Sequence, residues 1–112
     1  MSSATWEDFE RIDMRVGRVT SVEEFPEARQ PAWKLEVDLG PEIGTRRSSA
    51  QITHYAREDL EGRLVVCVVN FEPKRIAGFK SEVLVMGALS DAKGVVLLRP
   101  DDSEVELGSK IG

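Results

Sequence analysis

Strict alternation over one short stretch narrows most sharply what this chain can form. Trp33, Leu35, Val37 and Leu39 are apolar, and Lys34, Glu36 and Asp38 between them are charged. A two-residue period puts each set on its own face of a strand, so residues 33–39 make a strand with one dry and one wet side. Residues 13–25 read as a longer strand whose apolar positions change parity: Met14, Val16 and Val22 are even, Val19 and Phe25 odd. That slip beside Gly17 predicts a bulge or bend, and Pro26 ends the run. Gly40-Pro41 and Gly44 frame a hairpin-like connection to a polar strand over 45–50. Residues 52–62 read as a short helix or turn closed by Gly62. Leu64 to Val69 is apolar throughout and predicts a strand buried on both faces. Residues 71–80, with Pro73 and Gly78, read as a connection. Further strands are predicted over 83–89 and 95–98, with a last short one within 104–111. Thr5 followed by Asp8 is a capping pattern for a short helix over residues 6–11.

Five or more short strands with one small helix after the third predict an all-β fold. The arrangement matches a five-stranded Greek-key OB-fold barrel with a short N-terminal helix and C-terminal extension strands. Closing the sheet removes strand edges that otherwise pair with other chains. At 112 residues the chain is expected to be a single domain over 1–112. A small barrel has one inside, and the apolar residues exceed it. Leu84, Met86, Val96 and Leu98, with Trp6 and Phe9 at helical i, i+3 spacing, are therefore expected to form a homodimer interface.

Charge is unevenly placed. The chain holds 15 basic and 20 acidic residues, net −5, yet residues 46–81 hold 7 basic against 4 acidic, net +3. A local field acts over roughly a Debye length, ~8–10 Å, so a basic patch inside an acidic protein still attracts phosphates. The longest apolar run is six residues, Leu64 to Val69, which predicts no membrane insertion. The N-terminus lacks the pattern of a secretory signal, and Cys67 is the sole cysteine, so a cytoplasmic location is expected. Catalytic patterns are missing. His54 has no second ligand at metal spacing, Ser48 and Ser49 lack nucleophile-elbow glycines, and no phosphate-binding glycine loop occurs. No metal, no cofactor and no enzymatic activity are expected.

The segment Asn70-Phe71-Glu72-Pro73-Lys74-Arg75-Ile76-Ala77-Gly78-Phe79-Lys80-Ser81-Glu82 carries the most information. It resembles the motif of the tRNA-binding OB-domain family, found in free tRNA-binding proteins, at the C-terminus of methionyl-tRNA synthetases and at the N-terminus of phenylalanyl-tRNA synthetase β subunits. Asp13 to Val19 is similar to that family's first strand, and Pro26-Glu27-Ala28 with Lys34 to Gly40 to its second. The synthetase-type domains follow the serine with Glu-Gly-Met, whereas Ser81 here is followed by Glu82-Val83-Leu84. Together with residues 23–29, 48–53 and 108–112, that difference favours a branch of small bacterial members with a chaperone-like role.

The resemblance implies a dimeric OB fold that assists export of preproteins and retains tRNA binding. The alternative is a free tRNA-binding protein recognising tRNA shape, accessory to an aminoacyl-tRNA synthetase. For RNA, Lys74, Arg75 and Lys80 supply phosphate-seeking charge, joined by Arg46 and Arg47 if their strand faces the same side. Asn70 and Ser81 are the candidates for sugar hydroxyls. For unfolded or export-bound polypeptide, the candidates are Trp33, Phe71, Pro73, Ile76 and Phe79 in an apolar groove. Phe71 and Phe79 have two readings, stacking on bases or filling the barrel mouth.

Overall fold

The computed structural model describes residues 2–112. A short helix, α1 (Trp6–Glu10), opens the chain. Its capping box is complete: the Asp8 amide donates to Thr5 Oγ1 at 3.1 Å, and the Thr5 amide donates to Asp8 Oδ2 at 2.9 Å. Then follow β1 (Met14–Glu24), β2 (Trp33–Asp38), a single turn α2 (Gly40–Ile43), β3 (Thr45–Ala50), the turn α3 (Arg57–Leu60) and β4 (Leu64–Val68). The rest comprises β5 (Lys74–Ile76), β6 (Phe79–Ser81), β7 (Leu84–Val85), β8 (Gly87–Ser90) and β9 (Gly94–Leu97).

The main sheet runs β3-β2-β1-β4-β7, all antiparallel, with β5-β6 and β8-β9 as separate hairpins. Its two ends are drawn together by Ser48, which is buried on β3 and donates from Oγ to the Val83 carbonyl at 2.8 Å. The Glu82 amide adds a bond to the Arg47 carbonyl at 2.7 Å. The result is a nearly closed five-stranded barrel of the OB type, as the strand pattern predicted. Val19, Leu35, Val37, Leu39, Val65 and Cys67 fill it, and Leu60 from α3 plugs one end.

The parity slip in β1 is real and lies just past its expected place. Pairing runs Val19↔Val37 and then Ser21↔Glu36, which leaves Thr20 unmatched, so Val19 and Val22 both point into the core at three-residue spacing, while Val16 is buried opposite Val66 on the other face. Gly17 serves close approach: a Cβ there would lie 2.5 Å from Val37 Cγ1.

Three expectations need correction. Residues 71–80 are not a plain connection but hold the β5–β6 hairpin, turned at Ala77-Gly78 with φ of +47° and +82°. Both positive angles are what a two-residue type I′ turn demands. The apolar run 83–89 is not one strand. It breaks at Met86, with β7 pairing to β4 and β8 to β9. Residues 104–111 form no regular strand but lie along the free edge of β1. The Ser109 carbonyl accepts from Val16, Ile111 donates to Met14, and Lys110 bridges to Arg15. An irregular tail thus blunts the edge. No helix among the described residues is long and apolar enough to cross a membrane.

Candidate nucleic-acid interface

The β5–β6 hairpin is the structural centre of the candidate site. Its register pairs Lys74 with Ser81, Arg75 with Lys80 and Ile76 with Phe79. Directly opposed residues share a face, and successive pairs alternate, so Lys74, Ser81, Ile76 and Phe79 lie on one side and Arg75 and Lys80 on the other. The first side is turned to the barrel. Ser81 Oγ accepts from the Ser49 amide at 3.1 Å, and the Phe79 ring meets Phe25 edge-on at 5.5 Å between centroids. Arg75 and Lys80 consequently project to solvent, and both are exposed. Lys74 is exposed at the groove edge.

Phe79 fixes how the hairpin sits. The Arg47 guanidinium lies 4.8 Å from its centroid, and Lys34 Nζ lies 5.7 Å from it and 5.3 Å from Phe25. Cations over aromatic faces are worth about 0.5–1 kcal/mol each at partly exposed sites. Of the two readings of Phe79, the ring is engaged in packing. Phe71 is half exposed at 49% and remains open to a ligand. Lys34 belongs with the basic surface although motif reading passed over it. The signal was its place on the wet face of β2, directly opposite Ser49 of the polar strand.

Arg46 and Arg47 do not act together. Arg47 opposes Glu36 on the outer face, whereas Arg46 opposes Val37 and falls on the other side. Asn70 is also otherwise employed. Its Oδ1 accepts from the Asp13 amide at 2.9 Å, and its Nδ2 donates to the Arg11 carbonyl at 2.7 Å, which ties α1 to the end of β4. Ser81 spends its hydroxyl oxygen on β3, as above. The RNA candidates thus separate into exposed cations (Lys74, Arg75, Lys80, Arg47) and polar groups that hold the frame (Asn70, Ser81). Arg75 reaches the Gly78 carbonyl at 3.3 Å, and among the described residues no carboxylate makes an ion pair within 4.0 Å of Arg75, Lys80, Lys74 or Arg47. Like charges directly opposite each other weaken a hairpin, and an anion placed over the pair reverses that sign.

The five polypeptide candidates do not share one groove. Phe71 and Ile76 line a trough of about 340 Å³ with Val83 and Leu84. It continues through Leu84 and Ser49 into a second trough of about 410 Å³ bounded by Met86, Leu89 and Val95. Trp33 lies elsewhere, in a cleft beside Phe25, Pro26 and Pro31, where its Nε1 donates to the Tyr55 carbonyl at 3.1 Å. Pro73 is exposed beside the first trough, and Phe79 faces the basic side. Of the residues expected at a dimer interface, Trp6, Phe9, Leu84, Val96 and Leu98 are exposed and Met86 is half-buried. Leu89, at 86%, was not foreseen; it is the most exposed large apolar residue described. Burial pushes the Cys67 thiol up to about 12, so it stays protonated and inert at neutral pH.

Residues 14–110 match the family model described as "Putative tRNA binding domain". Among solved structures, the chain superposes on the CsaA chaperone protein of Picrophilus torridus with a TM-score of 0.93 and 48% identity, covering 98% of this chain and 100% of that one. For chaperone CsaA of Bacillus anthracis the TM-score is 0.91 and the identity 55%, over 99% and 100% of the two chains. Methionine–tRNA ligase of Pyrococcus furiosus is 38% identical over 99% of this chain, which spans only 15% of that enzyme's length. A family match across nearly the whole sequence, borne on an OB barrel with two CsaA proteins as near neighbours, places the chain in the tRNA-binding domain family.

Proposed function

We propose that the chain is a non-catalytic, CsaA-like homodimer of the cytoplasm that binds tRNA by its shape and holds unfolded or export-bound polypeptide. The carrying observation is the unpaired cation pair Arg75–Lys80, raised on a hairpin above Arg47 and Lys34 in an acidic chain. Basic groups without amide side chains beside them contact backbone rather than base edges, so the mode is shape reading. The polypeptide ligand fits the apolar trough from Phe71 and Ile76 to Leu84, where weak binding follows from the cost of ordering an extended chain. Dimerisation uses the exposed set Trp6, Phe9, Leu84, Val96 and Leu98. A symmetric pair presents two basic hairpins to one folded RNA.

Salt separates the two ligands. Unfractionated tRNA is expected to dissociate as salt rises, while an apolar peptide stays bound or tightens. Sedimentation of the protein and of Leu84→Glu tests the dimer: the parent sediments as a dimer and the variant as a monomer. A monomeric parent at micromolar concentration overturns the dimer, and tRNA retention unaffected by Arg75→Glu with Lys80→Glu overturns the RNA surface. The second reading, delivery of tRNA to a synthetase, is favoured by the likeness to a small segment of methionine–tRNA ligases.

A further inference from the structure

A third cation cluster lies apart from the hairpin. Arg18 on β1, Arg63 at the start of β4 and Arg99 after β9 converge on a polar pocket of about 310 Å³, completed by Gly62, Ser103 and Asp101. Backbone bonds lock the frame: Gly62 donates to the Val19 carbonyl at 2.8 Å, and Val19 donates to the Arg63 carbonyl at 2.9 Å. Arg18 Nη1 donates to the Gly62 carbonyl at 2.8 Å, which orients its guanidinium. The Arg63 guanidinium is propped on the Tyr55 ring at 5.1 Å. One observation marks the pocket as a site rather than a surface accident. Among the described residues no carboxylate, Asp101 included, lies within 4.0 Å of any of the three guanidinium groups, although acidic residues outnumber basic ones in this chain. Arg63 Nε is sealed from solvent without a hydrogen-bond partner, so its N–H adjoins the pocket without lining it.

We propose that this pocket binds a phosphate group, with the guanidinium groups of Arg18, Arg63 and Arg99 as its cationic lining. Guanidinium forks match the spacing of phosphate oxygens, and three positive charges against one aspartate suit a dianion. The volume admits a phosphate or pyrophosphate with its water and little more. The phosphate comes either from a small molecule or from an RNA backbone passing this side of the barrel.

Inorganic pyrophosphate titrated into the intact protein at low salt, read by the Arg63 Nε–H resonance and by calorimetry, tests it. Saturable binding that shifts that resonance is expected, weakened about tenfold by either Arg18→Gln or Arg99→Gln and unchanged by Lys80→Gln. Arg63→Lys keeps the charge but removes the guanidinium fork, and is expected to lose affinity too. If pyrophosphate does not bind but Arg18→Gln and Arg99→Gln each weaken tRNA binding and flatten its salt dependence, the phosphate is the RNA's. The proposal falls if about 10 mM pyrophosphate leaves the Arg63 resonance of the parent unmoved and the tRNA affinity of both variants equals the parent's. The resonance is read on the parent protein, so a variant that fails to fold does not blunt the test.

Discussion

Neutralising the exposed cation pair of the hairpin, Arg75→Gln with Lys80→Gln, should weaken tRNA binding while leaving the fold as stable as before or slightly more so. Arg47, Lys74, Arg75 and Lys80 are the exposed cations on this surface without a carboxylate partner among the described residues, Lys34 being half-buried against Phe25 and Phe79. If each neutralises one phosphate, each protomer contributes a logarithmic salt slope of about −3.6, or about 150-fold between roughly 50 and 200 mM. Removing two contacts halves the slope to about −1.8, and the same change of salt then costs about 12-fold. Stability moves the other way, because two like charges directly opposed across β5 and β6 cost about 0.2–1 kcal/mol and neither side chain is buried. Fluorescence anisotropy of labelled tRNA at several salt concentrations gives both slopes, and thermal melting gives the stability. Parallel salt lines for parent and variant would refute the assignment of this pair to phosphate. A large drop in melting temperature would refute its placement in solvent.

Ser48→Ala removes the buried hydroxyl that joins the barrel ends and leaves the Val83 carbonyl short of a donor; it should cost about 1–3 kcal/mol in urea unfolding. Ala77→Gly relieves a non-glycine residue held at φ +47° and should stabilise the hairpin by up to about 1 kcal/mol, seen as slower amide exchange in β5 and β6. Cys67 predicts a pH dependence. Its thiol is held protonated up to about 12 in the fold, against a usual value near 9.0, so the unfolded chain binds fewer protons between those values. Stability should therefore be full below pH 9 and fall as pH rises toward 12, and Cys67→Ala should remove that part of the decline. Native protein should also resist alkylation at pH 8 and react once unfolded.

What the sequence disclosed follows the range over which each signal acts. Alternation in 33–39 and the unbroken apolar run at 64–69 are local patterns set directly by burial, and β2 and β4 appear where those patterns stand. The parity slip in β1 was legible for the same reason, though its position was not, since the unmatched residue is fixed by pairing with β2. The β5–β6 hairpin escaped notice because each strand has three residues and its turn is Ala77-Gly78 rather than Asn-Gly. Propensity does not ask alanine to take a positive φ; the docking of Phe79 against Phe25, Lys34 and Arg47 supplies the compensation.

Site residues divide by the same logic. Lys74, Arg75 and Lys80 were readable because exposure of a charge is the default outcome and needs no partner. Asn70 could not be placed from the sequence because a hydrogen-bonding side chain serves a ligand or the frame equally well, and only the fold brings Arg11 and Asp13 to its amide. Arg46 failed on geometry: adjacent strand residues face opposite ways, so at most one of a neighbouring pair reaches a given surface. The cluster of Arg18, Arg63 and Arg99 had no signature at all, because its members are separated by dozens of residues and meet only where the turn before β4 folds back on β1. The motif at 70–82 is compact enough to read along the chain, whereas a pocket assembled from three distant arginines becomes visible only once the barrel has closed.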